Sequence, residues 1–187
     1  MIIPLLETAR LRLRSHYPDD LTAFVAMWQQ PQFYEFLGGQ PLREEEVWTK
    51  MLRHLGLWHL QQYGFWAIEE KASGHFIGAV GFGAWQRDIT PSLKGWPEVG
   101  WVLTPHTHGQ GYATEAVRAA LAWGDAHLLQ PRTVCLIDVD NQPSLGLAAK
   151  CGYQEFSRTL YKGQPVVLLE RLAAPPTTGL QAGKTTS

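Results

Sequence analysis

The sequence feature that most restricts the fold is a pair of glycines between a strand pattern and a long helical pattern. The run WVLTP (101–105) is typical of a strand end, and HTHGQGYATEA (106–116) leads into a segment with apolar residues at helical spacing. Gly109 and Gly111 allow the backbone to approach a ligand closely, while the first helical turn offers unpaired N–H groups and a partial positive charge. The segment therefore predicts a strand, a glycine loop and a helix that together could bind phosphate or pyrophosphate.

Two glycines before a helix are also compatible with a simple tight turn, so the surrounding residues must distinguish the alternatives. A phosphate loop would need a Lys-Ser or Lys-Thr pair after the glycines, and a dinucleotide fingerprint would need glycine where Thr114 stands. Neither nucleotide motif is present. His106 and His108 could begin a metal site, but no third ligand is evident nearby, and no metal is predicted.

The rest of the chain alternates between strand-like and helix-like segments. Alternation of apolar and polar residues with β-branched or aromatic enrichment predicts strands, and apolar spacings of three or four predict helices. The predicted strands are 10–14, 65–69, 76–84, 98–103, 133–139, 153–161 and 166–171, and the predicted helices are 21–28, 48–59, 113–128 and 144–150. We expect the three central strands to be adjacent and antiparallel and the last two to form a hairpin. We expect the second helix to have one apolar stripe, formed by Trp48, Met51, Leu52, Leu55 and His59.

Composition excludes several classes of protein. The chain has 187 residues, of which 45% are hydrophobic, and this length predicts one domain over 1–172 with a tail at 173–187. The net charge of -1 argues against a nucleic-acid partner. No apolar run reaches the ~20 residues of a membrane span, so we expect a cytoplasmic protein without a membrane partner. Cys135 and Cys151 form no CxxC pattern and are expected to be buried structural thiols.

Two blocks in the second half of the chain resemble the GCN5-related N-acetyltransferase (GNAT) superfamily. The central family motif is Gln/Arg, two residues, Gly, one residue, Gly/Ala, and HGQGYA (108–113) is similar to it, with His108 at the Gln/Arg position. The block NQPSLGLAAKCGY (141–153) is similar to the signature Asn, two residues, Ser/Ala, helix, Lys, one residue, Gly, Phe/Tyr. Segments ETARLRLR (7–14) and EVGWVLTP (98–105) resemble the branch of ribosomal-protein N-terminal (alanine/serine) acetyltransferases. The resemblance extends over 7–172.

This resemblance implies a fold and an activity. The implied α/β (α+β) fold has a mixed, mostly antiparallel sheet of about six to seven strands, flanked by about four helices, with splayed strands that hold acyl-CoA. The implied activity is direct transfer of an acetyl group from acetyl-CoA to a primary amine, either the α-amine of a protein or peptide N-terminus or a small-molecule amine. A catalytically silent acyl-CoA-binding or regulatory domain is the alternative. The sequence leaves the assembly open between a monomer and a homodimer.

The resemblance also implies which residues bind acetyl-CoA. Backbone donors are expected to dominate, with Lys150 either reaching a phosphate or complementing the helix C-terminus. The expected cofactor-binding residues are Val102, Leu103, Thr104, Gly109, Gln110, Gly111, Tyr112, Ala113, Thr114, Asn141 and Lys150.

Catalysis needs a group that stabilises the departing thiolate and a group that accepts the amine proton. Many family members use a Tyr for the thiolate, but Ala148 stands at the matching position. Ser144 matches the residue implied to substitute in the ribosomal-protein branch, and Asn141 lies three residues earlier; both are also favoured helix caps. Glu98 at the start of its strand is the candidate base, acting through a water, and its alternative is a solvated strand end.

Overall fold

The structure is a computed structural model that describes residues 2–36 and 39–173. Residues 174–187, nearly all of the expected C-terminal tail, lie outside the described residues. The elements in chain order are β1 (Leu6–Glu7), β2 (Leu11–Arg14), α1 (Asp20–Trp28), α2 (Pro31–Tyr34), α3 (Glu44–Gln61), β3 (Phe65–Glu70), β4 (Phe76–Gly83), β5 (Glu98–Leu103), α4 (Tyr112–His127), β6 (Arg132–Asp138), α5 (Gln142–Lys150), β7 (Gln154–Tyr161) and β8 (Gln164–Leu172). The predicted fold class is confirmed.

All eight strands belong to one sheet, in the order β1-β2-β3-β4-β5-β6-β8-β7. The pairs are antiparallel except for β5 and β6, which run parallel. The predicted antiparallel neighbours β3, β4 and β5 are confirmed. The predicted β7–β8 hairpin is also confirmed: its two-residue turn consists of Lys162 and Gly163, with φ of 52° and 80°, as a tight hairpin turn requires.

Strands β5 and β6 are splayed. Their parallel pairing is limited to Glu98 and Val134, although both strands continue for several residues. The N–H of Val134 donates to the carbonyl of Pro97 at 3.0 Å. Because alternate residues of a strand direct their backbone groups to the same side, Trp101 and Leu103 direct theirs into the gap between the strands. The sheet therefore presents backbone donors and acceptors at its centre.

Helices cover both faces of the sheet. Helix α4 packs on one face through small and branched residues, among them Ala116, Val117 and Ala120, all completely buried. Helices α1 and α3 pack on the other face, where Phe24 and Met51 lie in a separate apolar cluster. Each face of the sheet therefore has its own layer of helices.

The face that α3 buries differs in part from the prediction: Met51 is buried and Leu55 is half-buried, but the other three residues of the predicted stripe are exposed. Trp48 and Leu52 are 39% and 49% exposed, and His59 is exposed as well. The buried residues of the helix are Val47, Met51, His54, Leu57 and Trp58. Both sets recur at helical spacing, so periodicity alone selects neither. Burial of His54 depends on His16, a partner far away in the sequence. The Nδ1 atom of His54 lies 3.1 Å from the Nε2 atom of His16.

Both cysteines are buried, as the sequence predicts. Cys135 and Cys151 are buried and free, and burial raises the pKa of both thiols, so the reactive thiolate is disfavoured. Over the described ranges, each helix is too short or too polar to cross a membrane.

Candidate functional site

The glycine loop has the geometry that the sequence predicts. After β5, a single 3₁₀ turn at Pro105–Thr107 leads into the loop, and α4 begins at Tyr112. Gly109 and Gly111 have φ of 74° and 81°, in the left-handed region where other residues lose roughly 1–2 kcal/mol. Gly111 is the N-cap of α4. The glycines therefore set the path of the backbone into the helix.

This path leaves a continuous run of backbone donors open. The N–H of His108 donates to Pro105 and that of Glu115 donates to Gly111, and these bonds fix the two ends of the loop. Within the parts of the chain that the structure describes, the six N–H groups of residues 109–114 have no hydrogen-bond partner. Together with the positive end of the α4 dipole, they form a cradle suited to an anion.

The outer wall of the loop is held by Arg10, the residue immediately before β2. Its Nε pairs with Glu115 Oε2 at 2.7 Å, and its Nη1 donates to the carbonyl of Gln110 at 2.9 Å. The guanidinium also lies 4.1 Å above the ring centre of Tyr112. Arg10 belongs to the predicted strand 10–14, and no local pattern indicates its contact with the loop, because its partners lie about a hundred residues away.

An open groove of about 670 Å³ runs from the cradle along α4. Lys150 at the end of α5 and Arg118 of α4 line it together with Gly111 and Thr114. Arg118 was not predicted, although it follows Thr114 by four residues and therefore lies on the same face of the helix. The two cations add positive charge beside the backbone donors, so the groove suits a ligand that carries several phosphates.

The two histidines of the loop turn back onto the protein. His108 Nε2 lies 3.1 Å from the carbonyl oxygen of Leu103, and His106 Nε2 lies 3.4 Å from Thr104 Oγ1. Gln110 likewise donates to the carbonyl of His106, at 2.7 Å. In residues 2–36 and 39–173 no group of three or more His, Cys, Asp and Glu side chains is placed to hold a metal. Binding at this loop therefore depends on backbone groups.

The residues at 100–104, on and just after β5, differ in whether their backbone groups are free or paired with β4. Leu103 directs its backbone into the β5–β6 gap, whereas Thr104 donates its N–H to Ile77 of β4 at 2.9 Å. Val102 pairs with Ala79 of β4. Gly100 sits in regular pairing without a bulge, and a Cβ there would come within 3.0 Å of the Phe65 ring. Close packing by Phe65 thus explains the glycine in mid-strand.

Glu98 is buried, so the alternative of a solvated strand end is wrong. Only 7% of the residue is exposed, and its Oε1 and Oε2 accept from Arg87 Nη2 and Nε at 2.6 and 2.7 Å. Burial raises the pKa of Glu98, and the hydrogen bonds and charge of Arg87 oppose that rise. Arg87 lies in the irregular segment before β5, where no sequence pattern marked it.

We expect Glu98→Gln to destabilise the fold by about 3 kcal/mol, because the mutation leaves the half-buried charge of Arg87 without its counter-ion. The matched control is the double variant Glu98→Gln with Arg87→Met, which removes both charges and is expected to recover most of the stability. Denaturant unfolding of the three proteins measures both effects. Equal stability of the single variant and the wild type would show that the pair contributes nothing to folding.

The start of α5 brings Asn141 and Ser144 together. Asn141 is the N-cap, and its Oδ1 accepts the N–H of Ser144 at 3.1 Å. The Ser144 side chain is half-buried, and its hydroxyl makes no hydrogen bond within the described parts of the chain. Ala148, one turn later, is completely buried in the core. Asn141 therefore has a structural role, and the hydroxyl of Ser144 remains available to a ligand.

Comparison with known proteins agrees with this geometry. The family model for the acetyltransferase (GNAT) domain matches residues 10–154, well over half of the chain. The uncharacterised N-acetyltransferase YoaA of Bacillus subtilis is 25% identical over 155 residues, covering 82% of this chain and 85% of its own. The uncharacterised protein YkkB of the same organism is 29% identical over 171 residues, covering 89% and 94%.

Solved structures share the fold over almost the whole described chain. A protein of Bordetella pertussis assigned to the GnaT-family acetyltransferases is 31% identical with a TM-score of 0.80, covering 90% of this chain and 99% of that one. RimL, a ribosomal L7/L12 α-N-protein acetyltransferase solved in complex with coenzyme A, has a TM-score of 0.72 at 17% identity, covering 90% and 98%. The second likeness concerns the fold alone.

Proposed function

Because this chain belongs to the GNAT acetyltransferase family, we propose that it is an N-acetyltransferase that moves the acetyl group of acetyl-CoA to a primary amine. The observation that carries the proposal is the run of six unpaired N–H groups at residues 109–114, beside the splayed strands β5 and β6. A diphosphate fits such a cradle, and an extended pantetheine arm fits the gap between the strands. Acetyl-CoA, when bound, supplies an activated acetyl thioester.

Binding is assigned to the backbone of residues 109–114 and to the cations of the groove. Lys150 and Arg118 line the groove from α5 and α4 and would pair with phosphate oxygens. Leu103 directs its backbone groups into the gap, where the pantetheine amides need partners. The site is stabilised indirectly by Val102 and Thr104, which pair with β4, and by Asn141, which caps α5.

Catalysis is assigned to Glu98 at the start of β5 and to Ser144 in the first turn of α5. The amine nitrogen forms a bond to the acetyl carbon as the carbon–sulfur bond breaks. Glu98 takes the proton of the amine through a water. The hydroxyl of Ser144 stabilises the departing thiolate by a hydrogen bond, and the thiolate then takes up a proton from solvent while Glu98 returns its own proton to solvent. The raised pKa of Glu98 suits a proton acceptor, since burial makes the carboxylate a stronger base. Asn141 positions Ser144 by holding its N–H.

A catalytically silent acyl-CoA-binding domain is the second candidate. Its supporting observation is Ala148, completely buried at the position where many family members have the Tyr that serves the thiolate. Both candidates bind CoA, and only an enzyme releases thiol with formation of an acetylated amine.

We expect an α-amine to be a better acceptor than a Lys side chain. An α-amino group has a pKa of roughly 7.7–8.0, so on the order of a tenth is neutral near pH 7, whereas Lys at about 10.4 is neutral in well under ~0.1% of molecules. An α-amine therefore needs little help from a base to lose its proton. This suits Glu98, because both of its carboxylate oxygens already accept hydrogen bonds from Arg87. The measurement is kcat/KM for a peptide with a free N-terminus and no Lys, against the same peptide N-terminally blocked and carrying one Lys.

Faster acetylation of the blocked Lys peptide would overturn this preference. Acetylation of neither peptide, with turnover of small amines, would assign the enzyme to small-molecule acceptors. Repeating the comparison at higher pH provides the control, because the advantage of the α-amine must shrink as the Lys amine loses its proton.

A further inference from the structure

Three cations lie together on the face of the sheet opposite α4, beside the first half of β5. Lys50 and Arg53 come from α3, three residues apart and therefore neighbours on the helix surface. Arg87 comes from the segment before β5 and reaches Glu98. We call Lys50, Arg53 and Arg87 the cationic cluster; no part of the proposed acetyl transfer uses the first two.

Aromatic rings hold each cation of the cluster. Lys50 Nζ lies 4.6 Å from the ring centre of Trp28, and the guanidinium of Arg53 lies 4.8 Å from that of Trp85. A cation over an aromatic face keeps its N–H donors free at the rim, because the contact is made by the π-face. The rings therefore orient the cations without neutralising their charge.

The positive charge of the cluster exceeds its negative charge. Arg87 has Glu98 as a partner, but Lys50 and Arg53 take part in no ion pair and no hydrogen bond across residues 2–36 and 39–173. Burial, followed by the charges of Arg53 and Arg87, lowers the pKa of Lys50 to about 8. The neighbouring indole nitrogen of Trp28 is also buried without a hydrogen-bond partner. Lys50 is half-buried, whereas Arg53 is exposed. A half-buried cation that neighbouring cations repel indicates a missing anion.

The cluster borders the place where an amine must approach. Arg53 contacts the ring of Trp85. The centre of that ring lies 5.9 Å from the centre of the Phe65 ring. Phe65 in turn packs directly against Gly100 of β5. Glu98, the proposed proton acceptor, is two residues before Gly100 on the same face of the strand. One short wall of side chains, Trp85 and Phe65, therefore connects Arg53 with the face of β5 that carries Glu98.

We propose that the amine acceptor carries a carboxylate close to its α-amine, and that Lys50 and Arg53 bind this carboxylate. The inference rests on the proposed acetyl transfer and narrows its acceptor to acidic amines. A glutamate-type side chain supplies the carboxylate whether it belongs to a single amino acid or to the first residues of a peptide. The cluster lies on the opposite face of the sheet from the groove of Lys150 and Arg118, so it is separate from the phosphate site.

The test compares acceptors that differ only in one negative charge. We would measure kcat/KM with acetyl-CoA for glutamate α-amide against glutamine α-amide, and for C-terminally amidated Ala-Glu against Ala-Gln peptides. A charge-assisted contact predicts that each acidic acceptor is preferred roughly tenfold to a hundredfold. The first pair tests a single amino acid as the source of the carboxylate, and the second tests a peptide.

Charge-neutralising variants then locate the contact. In Lys50→Gln with Arg53→Gln, the preference for the acidic acceptors should fall to near one, while kcat/KM for the neutral acceptors stays close to that of the wild type. Lys94→Gln is the matched control, because Lys94 is exposed in a loop and its side chain forms no ion pair among the described residues. The control should keep the full preference.

Equal rates for acidic and neutral acceptors in the wild type would overturn the inference and leave the acetyl transfer intact. So would a preference that survives neutralisation of both cations. Failure to acetylate any amine would overturn the proposed function itself, and the inference with it.

Discussion

Replacing Gly111 with Asp is expected to weaken the binding of CoA by more than about a hundredfold. The new carboxylate would project from the N-cap of α4 into the cradle of residues 109–114, where the phosphates are proposed to bind. Placing like charges against one another in an interface costs several kcal/mol, and every ~1.4 kcal/mol corresponds to a factor of ten in affinity. Titration calorimetry with CoA measures the change directly.

Gly111→Asn is the matched control for this experiment. Asn has the shape of Asp without its charge, and both residues tolerate the left-handed conformation that Gly111 adopts at φ 81° better than most others. The nearest atom to a new Cβ would be Arg10 Nη2 at 3.5 Å, an ordinary van der Waals contact, so both side chains fit. Thermal unfolding should show similar stability for the two variants. Equal CoA affinity of folded Asp and Asn variants would exclude this loop as the phosphate site.

Replacing Ser144 with Ala is expected to lower kcat by roughly 10²- to 10³-fold while the dissociation constant of CoA stays near its wild-type value. Loss of one hydrogen-bond donor to a developing negative charge typically has this effect on rate. The fold should tolerate the change, because the backbone N–H of Ser144, and not its hydroxyl, makes the bond to the Asn141 cap. Steady-state kinetics together with CoA titration separates the two quantities.

Ser144→Thr keeps the hydroxyl and is expected to retain most of the turnover, which distinguishes a lost donor from a disturbed helix. A Ser144→Ala enzyme with wild-type turnover would leave Ser144 as a residue of the first helical turn, with Asn141 serving α5 only as its cap.

Local sequence patterns were sufficient to predict the strand, glycine loop and helix at 98–127. The reason is that a strand period, two glycines and a helix start are each encoded by residues close together in the chain. Asn141 as a helix cap was predicted for the same reason. Very short elements escaped prediction: β1 has two residues and α2 has four, and neither length shows a period.

Long-range partners could not be predicted from one sequence. Arg10 with Glu115 and Arg87 with Glu98 form ion pairs that no local pattern specifies, because each cation has many carboxylates to choose from along the chain. Glu98 illustrates the consequence. A glutamate at the start of a strand could be a base or a solvated strand end. The structure shows that Glu98 is buried against Arg87. The side of α3 that faces the core was ambiguous for a similar reason, since two stripes of apolar residues fit the same helix.

The most direct test of acetyl transfer is to incubate the protein with acetyl-CoA and a panel of primary amines, and to measure free thiol and acetylated amine in the same reaction. We expect the two products to appear one to one, both to require an amine, and both to be lost in Gly111→Asp. Binding of CoA without formation of an acetylated amine from any member of the panel would contradict this expectation, as would release of thiol that does not depend on the amine.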